Sequence, residues 1–394
     1  MTMKSRFIAL LLGLLIVAEM SHAQRKEVIG YLPSWKWREK NCLLTYDKIP
    51  FGKLTIIDYA FWRPLPDGTI EPLNPTGDSL ILRGAGGATP LVPLAHENGV
   101  KVMLSVGGWD DSENFPAVAS TEKNRMRFAH SCVAVLGRYE FDGIDVDWEY
   151  PGFPDHKGSP ADKANSTRLL QILRDSLNAF GRMADRKILL SAAFAATEEH
   201  VTGYDMAAIA PLLDMVDIMT YDYSGSWTPV SGHNSPLYAS AEGDSASSID
   251  ASYRLFTQKY GVAPAKINLG IPFYGHSFAE CIELGSAFKG SDTTLAPEGD
   301  LVYTSILPHI AMHRHWDNIA KVPYLILPEK RVLVSYDDEE SVALKASYVV
   351  GHGARGVIIW EITGDYTAEG KTPLLDTIDS VFSGRSFPHQ EGKQ

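Results

Sequence analysis

Eight short runs rich in β-branched and apolar residues recur along this chain, with helix-patterned segments between them. The runs are Val28–Tyr31, Thr55–Phe61, Lys101–Val106, Gly143–Trp148, Ile188–Ala193, Met215–Thr220, Ile267–Ile271 and Gly356–Trp360. Strands that alternate with helices imply a parallel sheet whose connections cross over its face. Eight such units predict a closed α/β architecture, the (β/α)8 or TIM barrel, with chemistry at the carboxyl ends of the strands. A doubly wound open sheet is the competing arrangement, but no dinucleotide-type glycine fingerprint follows the first run. Between the runs, Leu169, Leu170, Leu173, Leu177 and Phe180 fall on one helical stripe, and Asn98-Gly99 forms a helix end.

The spacing between the last two runs is too long for a single crossover helix. It predicts a small α+β insertion domain over residues 278–338, between barrel strands seven and eight, with Val332–Ser335 as one of its strands. The acidic run Asp337-Asp338-Glu339-Glu340 is expected to start a helix, where negative charge offsets the backbone dipole. The expected organisation is a leader over 1–23, barrel strands one to seven over 24–277, the insertion, barrel completion over 339–385 and a polar tail over 386–394.

The leader is expected from Lys4 and Arg6, an apolar run from Phe7 to Ala18, and the small-residue pattern Ser21-His22-Ala23 ahead of Gln24. This is the layout of a secretory signal peptide, and the run is too short to span a bilayer. Export to the periplasm or the medium follows. The formal charge of −12 argues against nucleic acid or an anionic membrane as partner. Three cysteines, Cys42, Cys132 and Cys281, are too few for a disulfide framework in 394 residues and read best as small buried apolar residues. Asn165-Ser166-Thr167 matches a glycosylation acceptor, which matters only where the host glycosylates exported proteins.

Within Asp142-Gly143-Ile144-Asp145-Val146-Asp147-Trp148-Glu149, strand alternation puts Asp145, Asp147 and Glu149 on one face. Ile144, Val146 and Trp148 share the other face, which suits packing against helices. Neighbouring acids at roughly 6.6 Å spacing raise one another's pKa, so the terminal one can keep its proton near neutral pH and serve as a general acid. A wet strand face or a hard-cation site uses the same residue types. No His or Cys cluster and no phosphate loop accompanies the acids.

Aromatic placement favours a sugar-binding cleft. Trp62, Trp109, Trp148 and Trp360 sit at or just past the ends of expected strands, and Trp35, Trp37 and Trp227 lie a few residues beyond others. Broad rings at a barrel mouth can stack on the apolar faces of sugars. Tyr221 and Asp222 follow the sixth run, and the glycines of Ser105-Val106-Gly107-Gly108-Trp109 allow a close backbone approach.

The octapeptide Asp142–Glu149 resembles the D-x-x-D-x-D-x-E signature of the family 18 glycoside hydrolases, the chitinases. Ser105–Gly108, Met219-Thr220-Tyr221-Asp222, Leu269–Gly275 and Ile358-Ile359-Trp360-Glu361 resemble further motifs of that family, in the same order. The insertion is similar to the extra domain of one chitinase subgroup. The resemblance implies a secreted enzyme that hydrolyses β-1,4 bonds between N-acetylglucosamine units, with chitin or chitooligosaccharides as its partner and no metal or cofactor. Glu149 would protonate the glycosidic oxygen, and Asp147 would hold the substrate's N-acetyl group, whose carbonyl oxygen attacks the anomeric carbon. Asp145 would share a proton with Asp147, helped by Tyr31 and Ser105. Tyr221 would bond the same acetamide, and Trp360 would floor the cleft. Phe61, Trp109, Met219, Asp222 and Tyr274 would line it, while Asp142, on the opposite face, is structural. His276 stands where many family members have Arg, exchanging a fork donor for a titratable one. Related activities are cleavage of the N-glycan chitobiose core and, with the acid lost, sugar binding alone. Here Glu149 is intact.

Overall fold

A computed structural model describes residues 25–36, 43–84, 87, 89–296 and 301–385. The expected leader and tail, together with Trp37 and Cys42, lie outside the described residues.

Fourteen strands form among the described residues: β1 (Glu27–Pro33), β2 (Ile56–Pro64), β3 (Ile70–Pro72), β4 (Lys101–Gly107), β5 (Gly143–Asp147), β6 (Leu189–Ala195) and β7 (Met215–Met219). They continue as β8 (Ile267–Pro272), β9 (Tyr274–Ala279), β10 (Leu301–Val302), β11 (Arg314–Asp317), β12 (Val322–Leu327), β13 (Val332–Ser335) and β14 (Gly356–Trp360). Eight of them pair in parallel in the order β1, β14, β8, β7, β6, β5, β4, β2, and β1 pairs with β2 to close the barrel. The expected (β/α)8 architecture is therefore borne out, and each of its eight strands coincides with one of the β-branched runs. β3 pairs antiparallel with β2 as a short addition at the rim.

Helices wrap the barrel between these strands. In chain order they are α1 (Pro75–Arg83), α2 (Leu91–Glu97), α3 (Phe115–Ser120), α4 (Glu122–Tyr139), α5 (Asp162–Met183), α6 (Glu198–Val201), α7 (Met206–Ile209) and α8 (Ile249–Arg254). After them come α9 (Tyr303–His313), α10 (Glu339–Gly351) and α11 (Pro373–Phe382). The leucine stripe of α5 buries Leu169, Leu170, Leu173 and Leu177, each worth roughly 1.5–3 kcal/mol of apolar transfer. α2 ends at Asn98, with Gly99 in the left-handed region at φ 72°. Asp338 caps α10, accepting from the Ser341 amide at 3.1 Å while Ser341 Oγ accepts from the Asp338 amide at 3.0 Å. The acidic run does start a helix, but its first member has another partner. Asp337 is fully buried against Lys345 at 2.5 Å, and Lys345 also donates to Ser235 Oγ at 2.9 Å.

A second sheet, antiparallel in the order β10, β9, β13, β12, β11, stands beside the barrel mouth. It begins at Tyr274, separated from β8 by the single residue Phe273, instead of at Phe278. The run Leu269–Gly275 reads in sequence as a single strand end, and only the pairing of β9 with β13 reveals that the chain has already changed sheets.

Two apolar layers result. The outer one lies between the strands and the helices and includes Ile144, Val146 and Trp148 of the acidic segment. The inner one fills the barrel toward its mouth with Ile29, Tyr31, Ile56, Phe61, Met103, Met215, Met219, Tyr221 and Ile358. Cys132 and Cys281 are buried free thiols. No helix among the described residues is long and apolar enough to cross a membrane.

Candidate active site

The inward face of β5 carries Asp145 and then Asp147, and Glu149 follows just beyond the strand. Side-chain alternation sends Ile144, Val146 and Trp148 outward, so the acids rise in a line from the barrel interior to its mouth. Asp145 is fully buried and takes three hydroxyl donors: Tyr31 Oη at 2.9 Å, Ser105 Oγ at 2.7 Å and Ser191 Oγ at 2.7 Å. Both serines sit level with it on the neighbouring strands, because Ser105 and Ser191 each pair in register with Asp145. Burial pushes the Asp145 pKa up, and the three donors pull against that shift.

Asp147 is raised well above the usual carboxylate range, first by burial and then by the charges of Glu149, Asp145 and Asp217. Its Oδ1 has no donor, which leaves a buried acceptor free. Glu149 keeps some solvent contact at the mouth, yet the surrounding protein pushes its pKa to about 7. Burial is the main cause, assisted by Asp222 and Asp110, and a hydrogen bond from Tyr150 Oη at 3.0 Å opposes it. The Glu149 amide donates to Ser112 Oγ at 2.8 Å, so the backbone that carries the acid is anchored.

Close approach of β4 to this line depends on its last residue, Gly107, and on Gly108 just past it. A Cβ on Gly107 would stand 2.1 Å from the Asp147 carbonyl oxygen, and one on Gly108 would stand 2.6 Å from the Phe61 ring. Both glycines have positive φ.

Aromatic rings line the floor and one side. Phe61 stacks on Trp360 at 5.6 Å and on Trp35 at 6.0 Å, and Tyr31 meets Trp360 at 5.6 Å. Tyr221 meets Tyr274 edge-on at 6.0 Å. Tyr31, Phe61, Met219, Tyr221, Tyr274 and Trp360 thus belong to one inner cluster. Trp109 is exposed on the opposite rim, edge-on to His156 at 4.6 Å. Asp222 Oδ1 accepts from Tyr274 Oη at 2.6 Å and lies 2.7 Å from His276 Nε2, and His276 in turn meets the exposed Trp227 edge-on at 5.2 Å. The peptides Ala60–Phe61, Glu149–Tyr150 and Trp360–Glu361 are cis; the first lies within β2, the second just past β5 and the third at the end of β14.

Two tryptophans do not join the cleft. Trp62 and Trp148 are buried in the outer layer, where Trp62 packs against Tyr139 and Trp148 stacks on Phe115 at 5.2 Å. Their position near strand ends is real, but strand parity turns them toward the helices. Asp142 also stays outside, held by Arg186, by His96 and by the Val102 amide. Sequence reasoning missed Ser191, Tyr150 and the interior acids Asp58 and Asp217. For the last two, a lone acid inside an apolar strand was the available signal.

The family model described as glycosyl hydrolases family 18 matches residues 27–365. The chain belongs to family 18 of the glycosyl hydrolases. Chitinase A1 of Niallia circulans is 32% identical over 400 residues, covering 87% of this chain and 57% of its own length. Chitinase 1 of Aphanocladium album is 31% identical, covering 84% of this chain and 79% of its own. Among solved structures, the Group IV chitinase of Ostrinia furnacalis in complex with allosamidin superposes with a TM-score of 0.81. It is 29% identical and covers 92% of this chain and 100% of that one. The expected family and enzyme class, a glycoside hydrolase, are borne out; the chain spans little more than half of the Niallia enzyme.

Proposed function

We propose that this family 18 member is an exported chitinase that cleaves β-1,4 bonds between N-acetylglucosamine units with retention of configuration. The observation that carries the reading is the graded line of acids. Asp145 is buried and fully bonded, Asp147 is buried with a free acceptor, and Glu149 stands at the mouth with its pKa near neutrality.

In this reading Glu149 donates its proton to the glycosidic oxygen as the bond to the leaving sugar breaks. Asp147 and Glu149 rise from the same strand end, so neither flanks the bond from opposite sides as a retaining pair must. The substrate's acetamide oxygen serves as the nucleophile instead. Asp147 accepts the acetamide N–H and orients the oxygen, while Asp145 shares a proton with Asp147, steadied by Tyr31, Ser105 and Ser191. Tyr221 donates to the same acetamide, and Trp360 supports the sugar that distorts. Glu149, now ionised, then draws a proton from the water that opens the cyclic intermediate. Phe61, Trp109, Met219, Asp222 and Tyr274 hold the flanking sugars.

Incubation with chitohexaose, alongside Glu149→Gln and a fully deacetylated oligomer, tests the proposal. Shorter acetylated products from the unaltered enzyme only, and none from the deacetylated oligomer, are expected. Cleavage of the deacetylated substrate would exclude the acetamide as nucleophile.

A further inference from the structure

The side-chain layer beneath Asp147 differs from what a barrel interior ordinarily holds. In a (β/α)8 barrel each interior layer is supplied by alternate strands and dominated by bulky branched residues. Here β2, β5 and β7, three alternate barrel strands, supply Asp58, Asp145 and Asp217, whose oxygens lie within 4.8 Å of one another. None of the three is more than 1% exposed. Three negative charges at that separation, away from water, are prohibitively costly.

The donors are unevenly shared. Asp145 takes the three hydroxyls, one or two for each oxygen. Both oxygens of Asp58 lack any donor, as does Oδ2 of Asp217; Asp217 Oδ1 accepts from Asn268 Nδ2 at 2.7 Å, and the nearby Ser191 hydroxyl gives its one hydrogen to Asp145. An ionised carboxylate needs donors, whereas a neutral acid brings its own. The charge therefore belongs on Asp145, and the protons on its two neighbours.

We infer that Asp58 and Asp217 are held as neutral carboxylic acids, and that they act as positioning residues by confining the layer's single negative charge to Asp145, directly beneath Asp147. The inference rests on the roles given above to Asp145 and Asp147. The charge of Asp145 already raises Asp147, and a second charge in the layer would hold the shared proton on Asp147 and cost it the acceptor that receives the acetamide N–H. A bound cation is the other way to balance the layer. It would find the three donorless oxygens of Asp58 and Asp217, but those of Asp145 face hydroxyl hydrogens, and copurification with a metal separates the two.

The titratable groups acting on Asp58 are Asp145 and Asp147 from β5 and Asp217 from β7, those acting on Asp217 are Asp145 and, ahead of β14, Arg355, and Tyr31 from β1 is raised by both acids. Only Arg355 is a cation. Burial is the larger cause and places both acids well above their ordinary range. The folded chain then binds more protons than the unfolded one, so each acid costs stability as pH rises above its unfolded value, until its folded pKa is passed. An asparagine has the same shape and no such cost.

Asp58→Asn and Asp217→Asn, made separately in the full chain, test this. At neutral pH, infrared difference spectra against the unaltered protein should show one protonated-carboxyl carbonyl band lost in each variant. Melting temperatures should match or exceed the unaltered protein, with an advantage that widens from pH 6 to about pH 9. Glu149 sets the alkaline limb at about 7 and both acids are still neutral there, so that limb should stay in place in both variants; a downward shift would show that the replaced acid carried charge and would overturn the inference. The inference is overturned if no such band is lost, or if the melting temperature falls equally at every pH. It is also overturned if a stoichiometric metal copurifies and its chelation lowers the melting temperature. The spectra and melting curves need no substrate, so failure of the proposed chitinase activity would be seen separately.

Discussion

Tyr150 donates its phenolic hydrogen to Glu149 Oε2 at 3.0 Å, linking the proton donor of the proposed reaction to its neighbour in the chain. The bond favours the ionised carboxyl, while burial favours the neutral one and wins, leaving Glu149 at about 7. Catalysis by the acid form is present below that value, so kcat/KM should fall as pH rises through about 7. Tyr150→Phe removes the donor that lowers the pKa, and its alkaline limb should move to higher pH. A pH–rate profile that moves downward in this variant would contradict the assignment. Glu149→Gln should lower kcat by roughly 10²–10⁴ with little change in KM.

Ser191 stands level with Asp145 on β6 and is one of three hydroxyls that compensate its burial. Ser191→Ala should therefore cost about 1–3 kcal/mol at neutral pH, because a buried acceptor loses a donor that the alanine cannot replace. Chemical denaturation of the two proteins measures the difference. An unchanged midpoint would mean that Asp145 does not carry the charge.

Trp109 and Trp148 provide a paired test of cleft against core. Trp109 is 52% exposed on the rim, so Trp109→Ala should raise KM for oligosaccharides and leave stability within about 0.5 kcal/mol. Trp148 is 2% exposed and stacked on Phe115. Trp148→Ala should cost about 3–5 kcal/mol. Equal stability losses in the two variants would refute the division between the layers.

Lys345 and Asp337 form a buried ion pair behind the second sheet. Burial lowers the lysine and raises the acid, and each partner opposes the other's shift. Lys345→Met leaves an uncompensated carboxyl and should cost about 3–5 kcal/mol, whereas combining it with Asp337→Leu should restore most of that loss. Thermal denaturation of the single and double variants gives the coupling.

The eight barrel strands were legible because each β-branched run is short and is set apart from the next by a longer stretch of different pattern. The acid line was legible for a different reason, since strand parity alone fixes which side chains share a face. Parity also assigns Trp148 to the face of Ile144 and Val146, so its loss from the cleft follows from the same rule. Trp62 was harder to place, because the pairing of β2 with β4 shifts register between Tyr59 and Trp62. Ser191, Asp58 and Asp217 were passed over because their importance lies in what stands level with them on other strands. No local pattern carries that information. The start of the second sheet at Tyr274 was hidden in the same way.

The pairing of β9 with β13 has a consequence for how such a chain can change over generations. His276 on the departing strand lies opposite Ser335 on the returning one, so the chain leaves the barrel and comes back at adjoining points. An excursion with neighbouring ends can be lengthened, shortened or exchanged at small entropic cost, without redirecting the strands on either side. Tyr274 and His276 stand on the departing limb. A lineage that trimmed this segment would keep its barrel and its acids, and would give up one wall of the cleft at a stroke.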